Sequence, residues 1–195
     1  MEFFENHLYH IYNRGNNKQQ IFFKKENYIY FLHKVRRFVL PNCEILAYCL
    51  MSNHFHFLIY SDKRTVESKI ISGNKRNVLS EGIRNLLQTY TKAINKQNST
   101  TGSLFQQNTK SKCLSDGSIS YATTCFNYIH QNPYNAGLTK TLEDWNYSSF
   151  KDYAGLRNGT LCNKQLALEL LDLNLSTFYN DSYKIIDETK LKKIL

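Results

Sequence analysis

Strand-like runs of apolar and aromatic residues form the first pattern along the chain. β-prone runs cover 7–12, 43–51 and 54–60, and only Ser52 and Asn53 separate the last two. This arrangement predicts one strand near the start of the chain and, later, a hairpin of two strands.

Segments whose apolar residues have helical spacing alternate along the chain with these strand-like runs. Apolar residues three and four positions apart predict amphipathic helices over 25–40 and 78–97, and a short run after a Ser-Thr-Thr-Gly turn predicts a fourth strand over 103–107. The polar and basic stretch 61–77 is expected to be a mobile loop. The order β-α-β-β-α-β predicts an α+β fold of the ferredoxin-like (RRM-like) type, an antiparallel sheet with two helices on one face.

A further helix is predicted after the fourth strand. Apolar residues at helical spacing cover 117–132, behind Ser115 and Asp116 as capping residues, and Pro133 is expected to end the helix. An ordered aromatic packing segment is predicted over 145–153.

Charge indicates a class of partner. The 195 residues include 25 Lys and Arg against 16 Asp and Glu, a net charge of +9, and the whole excess lies in residues 1–160. Such a surplus is typical of proteins that bind a polyanion, with nucleic acid the leading candidate, because neutralised phosphates release counterions. A basic protein with a well-solvated surface explains the composition equally well.

Cysteine use and hydropathy indicate a compartment. The five cysteines show no Cys-x-x-Cys or His-Cys spacing, which argues against a disulfide framework or a zinc cluster. The first residues lack an apolar signal core, and no apolar run reaches the roughly 18 residues of a membrane span. We therefore expect a protein of the reducing cytoplasm with no membrane partner.

Two histidines share a predicted strand. Because side chains alternate along a strand, His54 and His56 are expected on one face, and Phe55 and Phe57 on the other. Two neighbouring imidazole nitrogens suit a single divalent ion. Two histidines on a polar strand face without a metal are the alternative, since the motif is short.

A tyrosine and an asparagine share a face of the predicted helix over 117–132. Tyr128 and Asn132 are four residues apart, so they lie one turn apart and away from the apolar stripe that contains Phe126 and Ile129. The amide oxygen could complete a metal site begun by the histidines, with the phenol beside it. The alternative is an ordinary tyrosine and a helix cap before proline.

Together these motifs resemble those of a known family. Residues 51–59, MSNHFHFLI, are similar to the HUH motif (His, hydrophobic, His) of the single-tyrosine transposases. Residues 128–138, YIHQNPYNAGL, resemble the catalytic-tyrosine block of their REP-associated branch. Three more blocks occur in the family's order within residues 7–153: YHIYNRGNNKQQIF, GSLFQ and WNYSSF.

The resemblance implies a site and a reaction. His54, His56 and Asn132 would hold Mg²⁺ or Mn²⁺, and Tyr128 would attack single-stranded DNA to form a 5′-phosphotyrosine and a free 3′-hydroxyl. A second 3′-hydroxyl would then displace the tyrosine. The implied protein is a transposase, or a domesticated relative, that cuts and rejoins DNA at hairpin-flanked sites without a nucleotide cofactor.

Basic residues near the predicted strands are candidate DNA contacts. Arg14 in the first loop, and Lys110 and Lys112 after the fourth strand, are expected to contact phosphate or a hairpin. Each of them, taken alone, is also explained as a solvated surface cation.

The resemblance divides the chain into a transposase domain over 1–155 and a C-terminal helical extension over 156–195, with a helix predicted over 163–175. Two other functions stay open. One is a replication or conjugation nickase that shares the HUH pair, and the other is a non-catalytic nucleic-acid-binding module on the same fold. A homodimer that exchanges the Tyr128 helix between chains is also left open.

Overall fold

An antiparallel sheet organises the protein in a computed structural model that describes residues 1–115 and 119–194. The four strands are β1 (His7–Arg14), β2 (Glu44–Met51), β3 (His54–Ser61) and β6 (Lys110–Cys113). Their order in the sheet is β2-β3-β1-β6, and all neighbouring pairs are antiparallel. This order confirms the predicted ferredoxin-like α+β fold.

Two helices cover one face of the sheet, as predicted. They are α1 (Lys25–Phe38) and α3 (Val78–Asn98). The buried ring of Phe31 lies 5.3 Å from that of Phe55 on β3 and 4.9 Å from that of Tyr90 on α3, between ring centroids. Gly82 allows the two helices to approach closely, because a Cβ there would lie 2.1 Å from the carbonyl oxygen of Phe38.

The segment 61–77 is not the loop that the sequence predicted. It forms the short helix α2 (Lys63–Val66) and a hairpin of β4 (Ser68–Ile71) and β5 (Asn74–Asn77). Asp62 caps α2 by accepting hydrogen bonds from the backbone N–H groups of Arg64 and Thr65, and Arg64 forms ion pairs with Asp62 and Glu44. Capping and charge stabilise this segment, so apolar spacing does not reveal it.

The predicted position of the fourth strand was wrong. Within 103–107 there is only an isolated bridge between Phe105 and Gly15, and the strand β6 begins at Lys110. Phe105 enters the core beside Phe55 instead. The sequence of β6 is Lys-Ser-Lys-Cys, and it lacks apolar alternation because the residues between the exposed lysines are a half-buried Ser and Cys and not large apolar residues.

The helix α4 (Ile119–Asn135) packs on the opposite face of the sheet, against β2 and β3. It continues past Pro133, where the prediction ended it, because a proline in the final turn removes only one backbone hydrogen bond. The predicted capping residue Asp116 and the predicted start at 117 lie outside the described residues. The Ser115 hydroxyl accepts a hydrogen bond from the Leu8 N–H at 2.8 Å, and its predicted capping role, which involves the residues that follow it, stays a prediction.

The remaining helices are α5 (Phe150–Tyr153), α6 (Lys164–Leu171), α7 (Phe178–Asp181) and α8 (Glu188–Ile194). The aromatic segment before α5 is ordered along the edge of β2, where the Leu50 N–H donates to the Tyr147 carbonyl and the Ser149 N–H donates to the Tyr48 carbonyl. The helix α6 falls within the predicted 163–175, and α8 packs along α4. In the part of the chain that the structure describes, no helix combines the length and apolarity needed to cross a membrane.

Candidate active site

The pleat of two central strands gathers polar residues on the sheet face that α4 covers. In the antiparallel register of β1 and β3, Arg14 is opposite His54 and Tyr12 is opposite His56. The intervening Phe55 points the other way, into the core below α1. The expected placement of both histidines on one face is therefore correct.

The edge strand β6 adds two lysines to this face. Lys112 pairs with His10 and Lys110 pairs with Tyr12 across the sheet, and both lysines are exposed. Arg14 is half-buried, and its Nε has no hydrogen-bond partner among the described residues. The three candidate DNA contacts thus lie on the same face of the sheet as the histidine pair.

The two imidazoles lie against each other. Their ring centroids are 4.9 Å apart with an interplanar angle of 87°, and His56 is 4% exposed while His54 is half-buried. Burial lowers the pKa of both histidines, for His56 well below the ordinary value, and the Arg14 guanidinium lowers both further. Both rings are therefore neutral near pH 7, and each retains a lone pair that can bind a metal.

His54 is oriented by its neighbour on the hairpin turn. Its Nδ1 lies 2.6 Å from Oδ1 of Asn53. Asn53 is fixed in turn because its Nδ2 donates a hydrogen bond to the carbonyl of Lys18 at 3.1 Å. The other ring nitrogen of His54, Nε2, is on the side of the ring away from this contact.

His56 is oriented by a third histidine that the sequence analysis did not select. Nε2 of His10 lies 2.8 Å from Nδ1 of His56, and Nδ1 of His10 lies 2.7 Å from the carbonyl oxygen of Ile194 on α8. Burial lowers the pKa of His10 to about 4. Strand alternation is the signal in the sequence that points to His10. It lies two residues before Tyr12, so both side chains lie on the same face of β1.

Two residues of α4 complete the cluster. The Asn132 Nδ2 donates a hydrogen bond to the Tyr128 carbonyl at 2.8 Å, and the Asn132 side chain lies close enough to those of His54 and Tyr128 to shift the pKa of both. The Tyr128 ring is edge-on to the His56 ring, with centroids 5.5 Å apart. The structure thus brings together the four residues that the two sequence motifs selected.

The two tyrosines on this face of α4 have different surroundings. Tyr128 is half-buried, and burial raises the pKa of its phenol while the hydrogen bond with Asn132 opposes that rise. Tyr121, two turns earlier, instead accepts a hydrogen bond from the ammonium group of Lys193 on α8 at 2.7 Å. Of these two tyrosines of α4, Tyr128 is the one that lies beside the histidine pair.

The cluster fits a divalent cation that accepts mixed nitrogen and oxygen ligands. Nε2 of His56 is buried and has no hydrogen-bond partner among the described residues, as expected of a ligand atom. Asn132 offers an amide oxygen, and Mn²⁺ and Mg²⁺ accept such oxygens. No group of three or more His, Cys, Asp or Glu side chains arranged for a metal exists within the described residues, so a metal here would rely on this smaller set.

Comparison with known proteins shows which family the chain belongs to. No curated protein sequence matches it. A solved structure, that of a REP-associated tyrosine transposase bound to a REP hairpin, is similar at a TM-score of 0.58 and 18% identity, over 80% of this chain and 86% of that one. A family model described as "Transposase IS200 like" matches residues 3–132, which include the histidine pair, Tyr128 and Asn132. The chain therefore belongs to the IS200-like transposase family.

Proposed function

We propose that the protein is a metal-dependent enzyme of the REP-associated branch that cleaves and rejoins single-stranded DNA at hairpin-flanked sites. The observation that supports this function best is the meeting of the Tyr128 phenol, the Asn132 amide and the imidazoles of His54 and His56. A tyrosine nucleophile beside a set of metal ligands suits phosphoryl transfer to the tyrosine, because a bound ion can stabilise the charge on the phosphate.

Tyr128 is the nucleophile in this proposal. Its phenolic oxygen bonds to the scissile phosphorus, the bond from phosphorus to the 3′-oxygen breaks, the phenol loses its proton and the departing oxygen gains one. The product is a 5′-phosphotyrosine and a free 3′-hydroxyl. A second 3′-hydroxyl reverses these steps on a new strand end, so no external energy source is consumed.

His54, His56 and Asn132 would hold Mg²⁺ or Mn²⁺. When bound, the ion would stabilise negative charge on the scissile phosphate and fix the orientation of that phosphate. Asn132 has a second task, because its contact with Tyr128 keeps the phenol next to the ligand set. Arg14, whose Nε has no partner among the described residues, is positioned opposite His54 to contact the phosphate.

The substrate is proposed from the family and from the charge of this face. Lys110 and Lys112 extend the positive surface from Arg14 along β6, which suits a single strand approaching the cluster. The similar solved protein is bound to a REP hairpin. All four cluster residues lie close together within the single chain described, and a homodimer that exchanges α4 stays a prediction.

Covalent trapping tests this function. Purified protein is incubated with Mn²⁺ and a 3′-labelled single strand carrying a hairpin, because a 5′-phosphotyrosine retains the 3′ fragment, and the adduct is resolved by denaturing electrophoresis and mass spectrometry. We expect an adduct on Tyr128 that is abolished in Tyr128→Phe and retained in the matched control Tyr121→Phe. An adduct on another residue, or one that persists in Tyr128→Phe, contradicts the assignment.

The same assay separates the alternatives. Hairpin binding without an adduct would favour the non-catalytic binding module. An adduct that forms but never transfers to a supplied 3′-hydroxyl would contradict the proposed rejoining step.

A further inference from the structure

We propose that His10 is a positioning residue that sets the tautomer of His56, and that the carbonyl of Ile194 on α8 sets the tautomer of His10. The inference rests on the proposed function and deepens it, because it explains how a buried imidazole is held ready to bind a metal through one defined nitrogen. It also makes α8 a part of the site.

The first step is fixed by the chemistry of a carbonyl. Nδ1 of His10 lies 2.7 Å from the Ile194 oxygen, which can only accept a hydrogen bond. Nδ1 of His10 must therefore carry the proton. His10 is fully buried, its ring neighbours include His56, and its environment disfavours a second proton. Its Nε2 is then a lone pair.

The second step follows from the first. Nε2 of His10 lies 2.8 Å from Nδ1 of His56, so one proton must lie between the two atoms. Since His10 supplies the lone pair, His56 supplies the proton from Nδ1. The lone pair of His56 is left on Nε2, the atom that is buried without a partner among the described residues.

An independent relay gives His54 the same tautomer. The Lys18 carbonyl accepts from Nδ2 of Asn53, which directs the Asn53 oxygen at Nδ1 of His54. Nδ1 of His54 must donate to that oxygen, so its lone pair is also on Nε2. Both histidines would therefore offer Nε2 as the ligand atom when an ion is bound. One relay begins in the loop after β1 and the other on α8.

The relay through His10 connects distant parts of the chain. His10 and Ile194 are 184 positions apart, and His10 and His56 are 46 apart. Ile194 is itself fully buried, so α8 is anchored where its carbonyl meets His10. The C-terminal helical segment is on this view a support of the metal site as well as a packing element.

Tautomers can be observed directly in the metal-free protein. Long-range ¹H–¹⁵N correlation spectra of ¹⁵N-labelled imidazoles distinguish a proton on Nδ1 from one on Nε2. We expect both His10 and His56 to carry their proton on Nδ1. A proton on Nε2 of His56 in the wild-type protein would overturn the inference, and this measurement needs neither metal nor DNA.

Metal binding tests the consequence. His10→Phe keeps the ring and removes both hydrogen-bonding nitrogens, and His10→Gln keeps one donor and one acceptor. We expect His10→Phe to bind Mn²⁺ about 10- to 100-fold more weakly than the wild type, as measured by titration of the free Mn²⁺ signal in electron paramagnetic resonance, and His10→Gln to recover part of that loss.

A matched control is available on α4. His130 is also fully buried, and its Nε2 lies 2.7 Å from the Ser149 hydroxyl, but its ring packs among Phe126, Phe150 and Phe178. His130→Phe should lower the melting temperature while leaving Mn²⁺ affinity unchanged. If His130→Phe lost as much Mn²⁺ affinity as His10→Phe, the effect of His10 would be one of general packing and not of positioning His56.

The outcomes separate this inference from the proposed function. If the wild type does not bind Mn²⁺, or binds it independently of His54 and His56, the metal site of the proposed function fails. If the wild type binds Mn²⁺ through those residues and folded His10→Phe binds it equally well, the role of His10 fails alone. If His10→Phe does not fold, the tautomer spectrum of the wild type and the affinity of His10→Gln decide.

Discussion

The two faces of the central sheet are built from alternate residues of the same strands, yet they satisfy different requirements. On the face below α1 and α3, Phe55 and Phe57 are buried among other aromatic rings. On the face below α4, His56 is nearly as buried. A hydrogen bond fixes its Nδ1, but its Nε2 has no hydrogen-bond partner in the described part of the chain.

The contrast between the two faces shows how burial and function are combined in one strand. An apolar face gains stability from every atom that it removes from water, whereas a buried polar atom without a partner costs stability. Among the described residues, the polar face contains two such atoms, Nε2 of His56 and Nε of Arg14. A metal and a phosphate would satisfy both, and substitutions on the two faces should therefore affect different measurements.

The largest expected effect is on activity and comes from the polar face. His54→Ala should reduce formation of the tyrosine adduct by about 10²–10³-fold or more, because loss of a metal ligand removes several kcal/mol of charge stabilisation. The rate of adduct formation in Mn²⁺ measures it. The exposed His33→Ala on α1 should retain the wild-type rate, and a wild-type rate in His54→Ala would remove His54 from the site.

The next effect is on stability and comes from the apolar face. Phe55→Ala, one residue along the same strand, should lower the free energy of unfolding by about 3–5 kcal/mol, because it leaves a cavity in the core. Urea denaturation measures the change, while Mn²⁺ affinity of the remaining folded protein should stay at the wild-type value. A cost below about 1 kcal/mol would contradict the contrast between the faces.

A smaller effect sharpens the contrast within the polar face. The sequence pattern alone suggests that a histidine on a polar strand face contributes little packing. His56→Ala should nevertheless lower the free energy of unfolding by about 1–3 kcal/mol, because it leaves Nε2 of His10 buried without a partner. The half-buried His54, when changed to Ala, should cost less. Equal costs for the two substitutions in urea denaturation would argue that the contact between His10 and His56 does not stabilise the fold.

The smallest effect concerns DNA affinity at the edge of the sheet. Lys112→Ala should reduce the slope of log affinity for a single strand against log salt by about 0.7, the value for one phosphate contact. Lys96→Ala, an exposed lysine on α3 behind the apolar face, should leave the slope unchanged. Fluorescence anisotropy at several salt concentrations measures both slopes. Equal slopes for the wild type and the two variants would show that Lys112 is a solvated surface cation and does not contact phosphate.

Much of the site followed from local periodicity. Alternation along a strand placed His54 and His56 on one face, and four-residue spacing placed Tyr128 and Asn132 on one side of a helix. The order of the predicted elements was also enough for the sheet topology. Both periodicities depend only on backbone geometry within a few residues, and this is why the sequence alone determined them.

Other features were decided only by contacts between distant segments. The sequence of the edge strand β6 has no apolar alternation, and the strand is recognised only by its pairing with β1. An ion pair between Arg64 and Glu44 joins α2 to β2. The position of His10 beside His56 depends on the register of β1 against β3, and its orientation depends on a carbonyl of α8. A hydrogen bond across 184 positions leaves no trace in local spacing, because only the folded chain brings its donor and acceptor together.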